Sequence, residues 1–108
     1  MSCNRQTIQM ECVNVGETYP AETITLGIDI TGCTLIRDIK ALGSGIIAKS
    51  WRSDNVGEIT IDDAAAGEYT VPKWPVDIAA GNYAGEDRII YANGDVQDLW
   101  DLSLKVSR

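Results

Sequence analysis

The sequence predicts an all-β fold, a sandwich or barrel of short strands joined by tight turns. Apolar and polar residues alternate with a period of two along several segments, as they do in half-buried strands. Turn signals recur about every 8–12 residues, a spacing typical of sandwiches and barrels. No segment carries an apolar stripe of helical spacing that is long enough to compete. The chain has 108 residues, which predicts one domain, residues 1–108, large enough to bury its own core.

Two strands are predicted before residue 31. Residues 8–12 alternate apolar and polar side chains and indicate a first strand at a sheet edge, which ends before Gly16. Residues 23–30 give the clearest alternation in the chain and predict the second strand. One face of this second strand collects its apolar side chains, Ile24, Leu26, Ile28 and Ile30.

A glycine-rich hairpin is predicted next. Residues 35–41 and 46–51 are rich in strand-forming side chains, and they flank a Gly-Ser-Gly break at residues 43–45. The segment 43–48 also fits the relaxed GxGxxA fingerprint of dinucleotide-binding sites. That fingerprint requires a buried strand before it and a helix after it, and the sequence has neither pattern here. A plain hairpin loop is therefore the preferred interpretation.

Two short strands and one helical turn are predicted in the following segment. Turn-forming residues at 54–57 precede a short alternating strand at 58–62, and another strand is expected at 68–71. Residues 74–80 are expected to hold a single helical turn, with Pro75 in its first turn.

The last predicted element is a long hairpin. Residues 82–92 and 95–106 flank Asn93-Gly94, a dipeptide that tolerates positive φ and gives the strongest hairpin signal in the chain. Leu99 is out of phase with the alternation of the final strand, which predicts a β-bulge near residues 97–99. The apolar residues that share one face of this strand are Trp100, Leu102, Leu104 and Val106.

The composition excludes several classes of function. The chain has no histidine, so the usual general base and the commonest metal ligand are missing. It has 9 Lys and Arg against 16 Asp and Glu, a net charge of −7, which disfavours binding to a phosphate backbone or to an anionic membrane. The composition therefore argues against most acid–base and nucleophilic catalysis, and we expect neither nucleic acid nor membrane as a partner.

The cysteines and acidic residues do not predict a metal site. Cys3, Cys12 and Cys33 are odd in number and form no CxxC motif, which argues against a disulfide framework or a zinc site. The acidic residues lack the alternating spacing of a calcium-binding loop. The first residues have no apolar run of secretory length, and no segment approaches a membrane span, so a cytosol-like setting is expected.

The tryptophans are the candidate contact residues. Trp100 shares a face with Leu102, and Trp51 ends an apolar run, so both are predicted to lie in the core. Trp74 lies beside Pro75 in a predicted loop and is the one tryptophan expected to be exposed. An exposed indole can anchor a protein interface or stack on a sugar ring. Trp74 is therefore the single predicted site residue, as an interface or glycan contact.

Six short phrases occur in a defined order between residues 16 and 106. They are Gly16-Glu17-Thr18, Ile28-Asp29-Ile30-Thr31-Gly32-Cys33-Thr34, Ile36-Arg37, Gly57-Glu58-Ile59-Thr60-Ile61-Asp62, Ala80-Gly81-Asn82-Tyr83 and Asn93-Gly94-Asp95-Val96. In this order and spacing, they resemble a group of small bacteriophage and prophage proteins that is similar to the N-terminal domains of baseplate upper proteins. One departure is that Ala84, Gly85, Glu86 and Asp87 follow Tyr83, where the family often has an aromatic residue and an aspartate.

The resemblance implies both a fold and a role. The fold is an immunoglobulin-like antiparallel β-sandwich of about seven to nine short strands. The role is that of a structural or assembly protein of the tail, the baseplate or the head-tail junction, with no enzymatic activity, no catalytic residues and no cofactor. Such a protein is assembled in the bacterial cytoplasm and retained in the virion. Its partners are other virion proteins, in a homo-oligomer or a symmetric assembly. The alternative from a different class is a carbohydrate-binding sandwich that recognises host surface glycans through Trp74, with Trp51 as a second stacking residue.

Overall fold

The computed structural model describes residues 7–108, which form eleven strands. These residues contain no helix, and so no helix that could span a membrane. The strands are β1 (Thr7–Gln9), β2 (Val13–Asn14), β3 (Thr18–Tyr19), β4 (Glu22–Thr25), β5 (Thr34–Ala41), β6 (Ile47–Arg52), β7 (Thr60–Asp63), β8 (Glu68–Val71), β9 (Trp74–Pro75), β10 (Gly81–Ile90) and β11 (Val96–Ser107).

The strands form two facing sheets and a small ribbon. The larger sheet has the order β1-β11-β10-β5-β6, with β2 also paired to β11, and the smaller sheet has the order β4-β8-β7. β3 and β9 pair as a separate ribbon. This division of the strands between two sheets is that of an immunoglobulin-like sandwich. The predicted fold is confirmed, and seven of the eleven strands have four or more residues.

The core lies between the two sheets because alternate side chains of each strand point inward. On β11, Leu102, Leu104 and Val106 are buried, while Lys105 between them is exposed. The longest strands therefore place three or more inward side chains each into a single layer. The other buried apolar side chains are Met10, Val13, Tyr19, Ile30, Leu35, Ile36, Ile39, Trp51, Ile59, Tyr69, Val71, Trp74, Val76, Ile78, Tyr83 and Ile89.

The final hairpin agrees closely with the prediction from the sequence. Gly94 has a φ of 94°, and its N–H donates to the carbonyl of Tyr91, which closes the turn between β10 and β11. Asp87 pairs with Trp100 and Arg88 pairs with Asp98, so Leu99 is an extra residue on β11. The predicted hairpin and the predicted bulge are both confirmed.

The first strand of the prediction is divided in two. β1 and β2 lie at the sheet edge, as expected, and both run parallel to β11. Between them, Met10 turns inward and is buried, while Cys12 is exposed. The other strands predicted between residues 35 and 71 are present, with their ends shifted by at most two residues.

The second predicted strand is much shorter than its sequence pattern indicates. β4 ends at Thr25, and the chain turns at Gly27, which has a φ of 75°. The N–H of Ile30 donates to the carbonyl of Ala64, so the chain reaches the core again by a loop. Ile28 is exposed in that loop. The prediction of one continuous strand over residues 23–30 is wrong because the left-handed glycine breaks the alternation.

The predicted helical turn at residues 74–80 is also wrong. Trp74 and Pro75 form β9 and pair with Tyr19 and Thr18 of β3. The N–H of Val76 then donates to the carbonyl of Glu17. Because this partner lies on a distant segment, the backbone is held extended and cannot make the local hydrogen bonds of a helix.

Gly85 permits the close approach of β10 and β5. A Cβ atom at this position would overlap the backbone carbonyl oxygen of Asp38 on β5. We expect Gly85→Ala to destabilise the fold by about 1–3 kcal/mol, because one of the two strands must shift. Urea unfolding followed by tryptophan fluorescence measures this loss.

The neighbouring residue gives a matched control for Gly85. Ala84 lines an open groove on the outside of the sheet, so Ala84→Ser is expected to change the free energy of unfolding by less than about 0.5 kcal/mol. Equal effects of the two substitutions would show that the contact between Gly85 and Asp38 is not a constraint.

Candidate functional site

The turn between β5 and β6 exposes three aliphatic side chains. Leu42, Ile46 and Ile47 are 65%, 69% and 52% exposed. The turn is short and hydrogen-bonded: the N–H of Gly45 donates to the carbonyl of Ala41, and the N–H of Ala41 donates to the carbonyl of Ile46. These bonds hold the exposed side chains at the tip of the hairpin. Clustered exposed aliphatic side chains are typical of surfaces that contact other proteins.

An open groove runs beside this turn on the outer face of the larger sheet. Its volume is about 630 Å³. Lys40 donates to Glu86 at 3.1 Å, and Arg88 donates to the same carboxylate at 2.8 Å, so the charges at its floor are paired. The groove is lined by Thr7, Lys40, Ala41, Leu42, Gly43, Ser44, Gly45, Ala84, Gly85, Glu86, Asp101, Leu102 and Ser103.

The exposed turn has a signal in the sequence that the strand prediction passed over. Ile46 and Ile47 are adjacent, so they cannot both face inward in an alternating strand. Trp51 points inward, and the intervening Lys49 is half-buried. Consecutive aliphatic residues directly after a glycine-rich turn therefore indicate that apolar surface is exposed where the strand begins.

The GxGxxA segment is a hairpin turn, as preferred from the sequence. Gly43 and Gly45 have φ values of 96° and 71° and supply the left-handed conformations of the turn. Residues 47–52 continue as a strand. A pyrophosphate site of the dinucleotide-binding type requires the N-terminus of a helix at this position. The described residues provide no such helix.

A polar cluster around Asp87 connects the two sheets inside the sandwich. Asp87 accepts hydrogen bonds from Arg37 Nε at 2.7 Å and Arg37 Nη2 at 2.9 Å. It also accepts from the Tyr69 hydroxyl and from Trp100 Nε1, both at 3.0 Å. Arg37 Nη1 donates to Glu22 at 3.0 Å. We call these five residues the Asp87 cluster. Because Tyr69 and Glu22 belong to the smaller sheet, the cluster links both layers.

The surroundings of Arg37 and Tyr69 in the Asp87 cluster keep both side chains protonated. Burial by itself lowers the pKa of Arg37, but the hydrogen bonds and charge of Asp87, aided by Glu22, outweigh it and raise this pKa. Burial, followed by the charge of Asp87, also raises the pKa of Tyr69. Arg37 is therefore charged, and Tyr69 remains a protonated donor at neutral pH.

The Asp87 cluster has the properties of a structural tie. Among the described residues, every buried side-chain nitrogen and oxygen has a hydrogen-bond partner. Arg37 and Asp87 are almost fully buried, so neither can reach a molecule in solvent. Their charges form an ion pair with each other, and the cluster stabilises the packing of the two sheets.

The acidic and thiol side chains are dispersed over the described part of the chain. Within residues 7–108, no group of three or more Cys, Asp or Glu side chains is arranged to hold a metal ion. Cys12 and Cys33 carry free thiols, and Cys3 lies outside the described residues.

The expectation that Trp74 is exposed is wrong. Its side chain is only 4% exposed. The ring stacks on Tyr19 with centroids 5.7 Å apart and meets the edge of Trp51 at 5.2 Å. Because β9 pairs with β3, the residues that look like a loop in the sequence direct this indole inward. The ring is therefore part of the core and is not available to a partner or a glycan.

The other two tryptophans were predicted to lie in the core, and they differ in how deeply they are buried. Trp51 is buried, as predicted. Trp100 is only half-buried, and it packs against the core while its Nε1 donates to Asp87. Its position near the middle of β11, beside the bulge, explains why the apolar face that it shares with Leu102 is not completely covered there.

Comparison with known proteins gives one distant structural likeness. No protein-family model matches the chain, and no characterised protein matches it in sequence. Among solved structures, it is similar to the crystal structure of CopC from Methylosinus trichosporium OB3b, with a TM-score of 0.46 and 11% sequence identity. The match covers 88% of this chain and 84% of that one. At this distance, the likeness carries no inference about what the chain binds.

Proposed function

We propose that this chain is a non-enzymatic structural or assembly protein of a bacteriophage or prophage particle, acting through protein contacts. The observation that carries the proposal is the hairpin turn with Leu42, Ile46 and Ile47 exposed, on a fold that leaves no buried side-chain nitrogen or oxygen of residues 7–108 without a hydrogen-bond partner. Its partners are other virion proteins of the tail, the baseplate or the head-tail junction. The chain is made in the bacterial cytoplasm and is retained in the virion.

Two of the phrases that resemble phage proteins, at residues 28–34 and 93–96, form turns that lead into strands of the larger sheet. Asp29 accepts the N–H of Thr31 at 2.9 Å in the loop before β5, and Gly32 in that loop has a φ of 77°. Asn93 accepts the N–H of Asp95 at 3.0 Å in the turn before β11. These side chains act on their own backbone, so they support a role in architecture.

The glycan-binding alternative loses the residue on which it depended. It required an exposed indole at Trp74, and that ring packs between Tyr19 and Trp51. Trp51, its second proposed stacking residue, is buried as well. We therefore do not retain it as a second candidate.

Incorporation into particles tests the proposal. The chain is expected to co-purify with particles from an induced lysogen or a phage lysate, detected by mass spectrometry. The double substitution Leu42→Ser and Ile46→Ser is expected to reduce incorporation at least about tenfold, because it removes apolar contact area.

A surface substitution away from the turn is the matched control for incorporation. Gln9 is exposed on the edge strand β1, and Gln9→Ser is expected to leave incorporation unchanged. Absence of the unmodified chain from both particles and assembly intermediates would contradict the proposed function.

A further inference from the structure

One edge of the smaller sheet has backbone groups that are free to bind a further strand. β4 is an outer strand of this sheet and pairs with β8. The N–H of Leu26 donates to the carbonyl of Gly67 at the end of this pairing. Because bonded residues alternate along an antiparallel strand, Ile24 also bonds to β8, while the N–H and C=O groups of Thr23 and Thr25 point away from it. Across the described residues, no hydrogen bond uses those four groups.

The other edges of the two sheets carry features that oppose the addition of a strand. On β6, a bulge breaks the ladder to β5, and the backbone of Arg52 bonds to the loop that follows. On β7, a bulge lies at Asp62, and Asp62 and Asp63 are both exposed. The edge formed by β1 and β2 is interrupted where Met10 turns inward. Bulges and charged side chains are the usual protection of sheet edges, and β4 has no bulge and one charged side chain, Glu22.

The inward side chains beside the β4 edge are incompletely covered. Ile24 and Leu26 pack against the core but are only half-buried. Tyr69, opposite Ile24 on the central strand β8, is 1% exposed. A strand beside β4 would cover the two half-buried side chains and would supply partners for the backbone of Thr23 and Thr25. The occupant that fits this edge is therefore an extended segment of protein.

The charge pattern favours a second copy of β4 as that segment. The chain has a net charge of −7, so two copies repel each other on the whole. Residues 21–28 contain one charged side chain, Glu22, which forms an ion pair with Arg37 at 3.0 Å. Glu68 and Asp62 lie on β8 and β7, so two or three strand spacings, about 10–15 Å, separate them from a strand added to β4. Two copies can therefore meet at β4 without placing like charges in contact.

We propose that two copies of this chain pair through β4, antiparallel across a two-fold axis at Ile24. Thr23 then exchanges backbone hydrogen bonds with the partner's Thr25, and Thr25 does so with the partner's Thr23. The two Ile24 side chains form the close pair on the inner face, and the threonines form favourable cross-strand pairs on the outer face. The two three-stranded sheets become one continuous sheet.

This contact is isologous, so it closes at a dimer. It uses a different element from the exposed turn between β5 and β6. The inference therefore goes beyond the proposed function and does not rest on it.

Two variants block the β4 edge. Thr25→Pro removes an N–H of the contact and none of the bonds between β4 and β8, and edge strands accept proline where the N–H faces solvent. The double substitution Thr23→Glu and Thr25→Glu places like charges directly opposite each other across the contact. The matched control, Asn55→Glu with Thr60→Glu, adds the same charge at exposed positions on the far side of the smaller sheet. Circular dichroism checks that each variant is folded.

Sedimentation velocity from about 10 μM to about 1 mM protein measures the association. The average mass of the unmodified chain is expected to rise from monomer towards dimer. About 0.5 M NaCl is expected to strengthen the association, because salt screens the repulsion between two acidic copies. Both β4 variants are expected to associate at least about tenfold more weakly. The control is expected to stay within about twofold of the unmodified chain.

Disulfide cross-linking tests the register of the two strands. The Cα atoms of a hydrogen-bonded antiparallel pair are about 5.5 Å apart, a distance that a disulfide spans. An equimolar mixture of Thr23→Cys and Thr25→Cys is expected to cross-link at least about tenfold faster than either variant alone, in which the new thiols are diagonal neighbours. The unmodified chain, with its own free thiols, gives the background rate.

Three results overturn the inference. The first is an unmodified chain that stays monomeric over the whole range, and the second is a folded β4 variant that associates as strongly as the unmodified chain. The third is a mixture of the two cysteine variants that cross-links no faster than either alone, which rejects the register about Ile24. If the chain stays monomeric and yet is incorporated into particles, β4 pairing fails while the proposed function stands. If it dimerises and is absent from particles, the proposed function fails instead.

Discussion

Asp87→Ala is expected to lower the free energy of unfolding by about 3–5 kcal/mol, because it removes the buried counter-charge of the Arg37 guanidinium and leaves only the partly exposed Glu22 as its partner. The substitution also removes the acceptor for the Tyr69 hydroxyl and for Trp100 Nε1. A loss of this size is a large part of the 5–15 kcal/mol that stabilises a typical domain. Urea unfolding at neutral pH measures it.

The matched control removes both charges of the pair. Replacing Arg37 with Met and Asp87 with Asn together deletes both buried charges, keeps similar side-chain volumes and leaves an acceptor oxygen for Tyr69 and Trp100. The double variant is expected to be more stable than Asp87→Ala, because no charge is left unpaired in the interior. If Asp87→Ala unfolds within about 1 kcal/mol of the unmodified chain, the Asp87 cluster does not stabilise the sandwich as its geometry indicates.

Trp74→Ala is expected to destabilise the fold by about 3–5 kcal/mol, the usual range for removing a buried tryptophan. The substitution opens a cavity between Tyr19 and Trp51 and removes two aromatic contacts. Thermal unfolding followed by circular dichroism measures the effect without depending on the tryptophan signal.

Trp74→Phe is the control for this position, since it keeps an aromatic ring next to Tyr19. It is expected to lose clearly less stability than Trp74→Ala. A Trp74→Ala variant as stable as the unmodified chain would mean that the indole is exposed, and the glycan-binding alternative would then have to be considered again.

The sequence is informative wherever local chemistry decides the structure. Asn93-Gly94 can form a tight turn with little regard to its surroundings, and the phase shift at Leu99 requires a bulge in any sheet that buries Leu102 and Leu104. The order of turns and strands then leaves few ways to build two layers. The sandwich could therefore be predicted from such local features.

The sequence is less informative wherever a distant segment decides the structure. Trp74 is buried because β9 pairs with β3, more than fifty residues earlier in the chain. The pairing of Arg37 with Asp87 likewise depends on the register between β5 and β10. Neither contact leaves a periodic pattern, so the one predicted site residue lies in the core, and the buried polar cluster was not predicted at all.

The exposed hairpin lies between these two cases. Its glycine turn was predicted, and Ile46 and Ile47 were assigned to the strand that follows. β6 does begin at Ile47, but both side chains are exposed. Because consecutive side chains of a strand point to opposite faces, Ile46 and Ile47 cannot both point into the core. Exposed apolar residues of this kind can therefore be predicted from a sequence by finding apolar residues that do not fit the alternation of a strand.

The central claim is the proposal that this chain is a building component of a phage particle, held in place by protein contacts that include the exposed turn between β5 and β6. Quantitative mass spectrometry of purified particles tests it most directly, by giving the number of copies per particle. The account predicts a fixed copy number that is a multiple of the particle's rotational symmetry and that survives further purification. A copy number that falls with each purification step, as it does for a contaminant, would contradict the account.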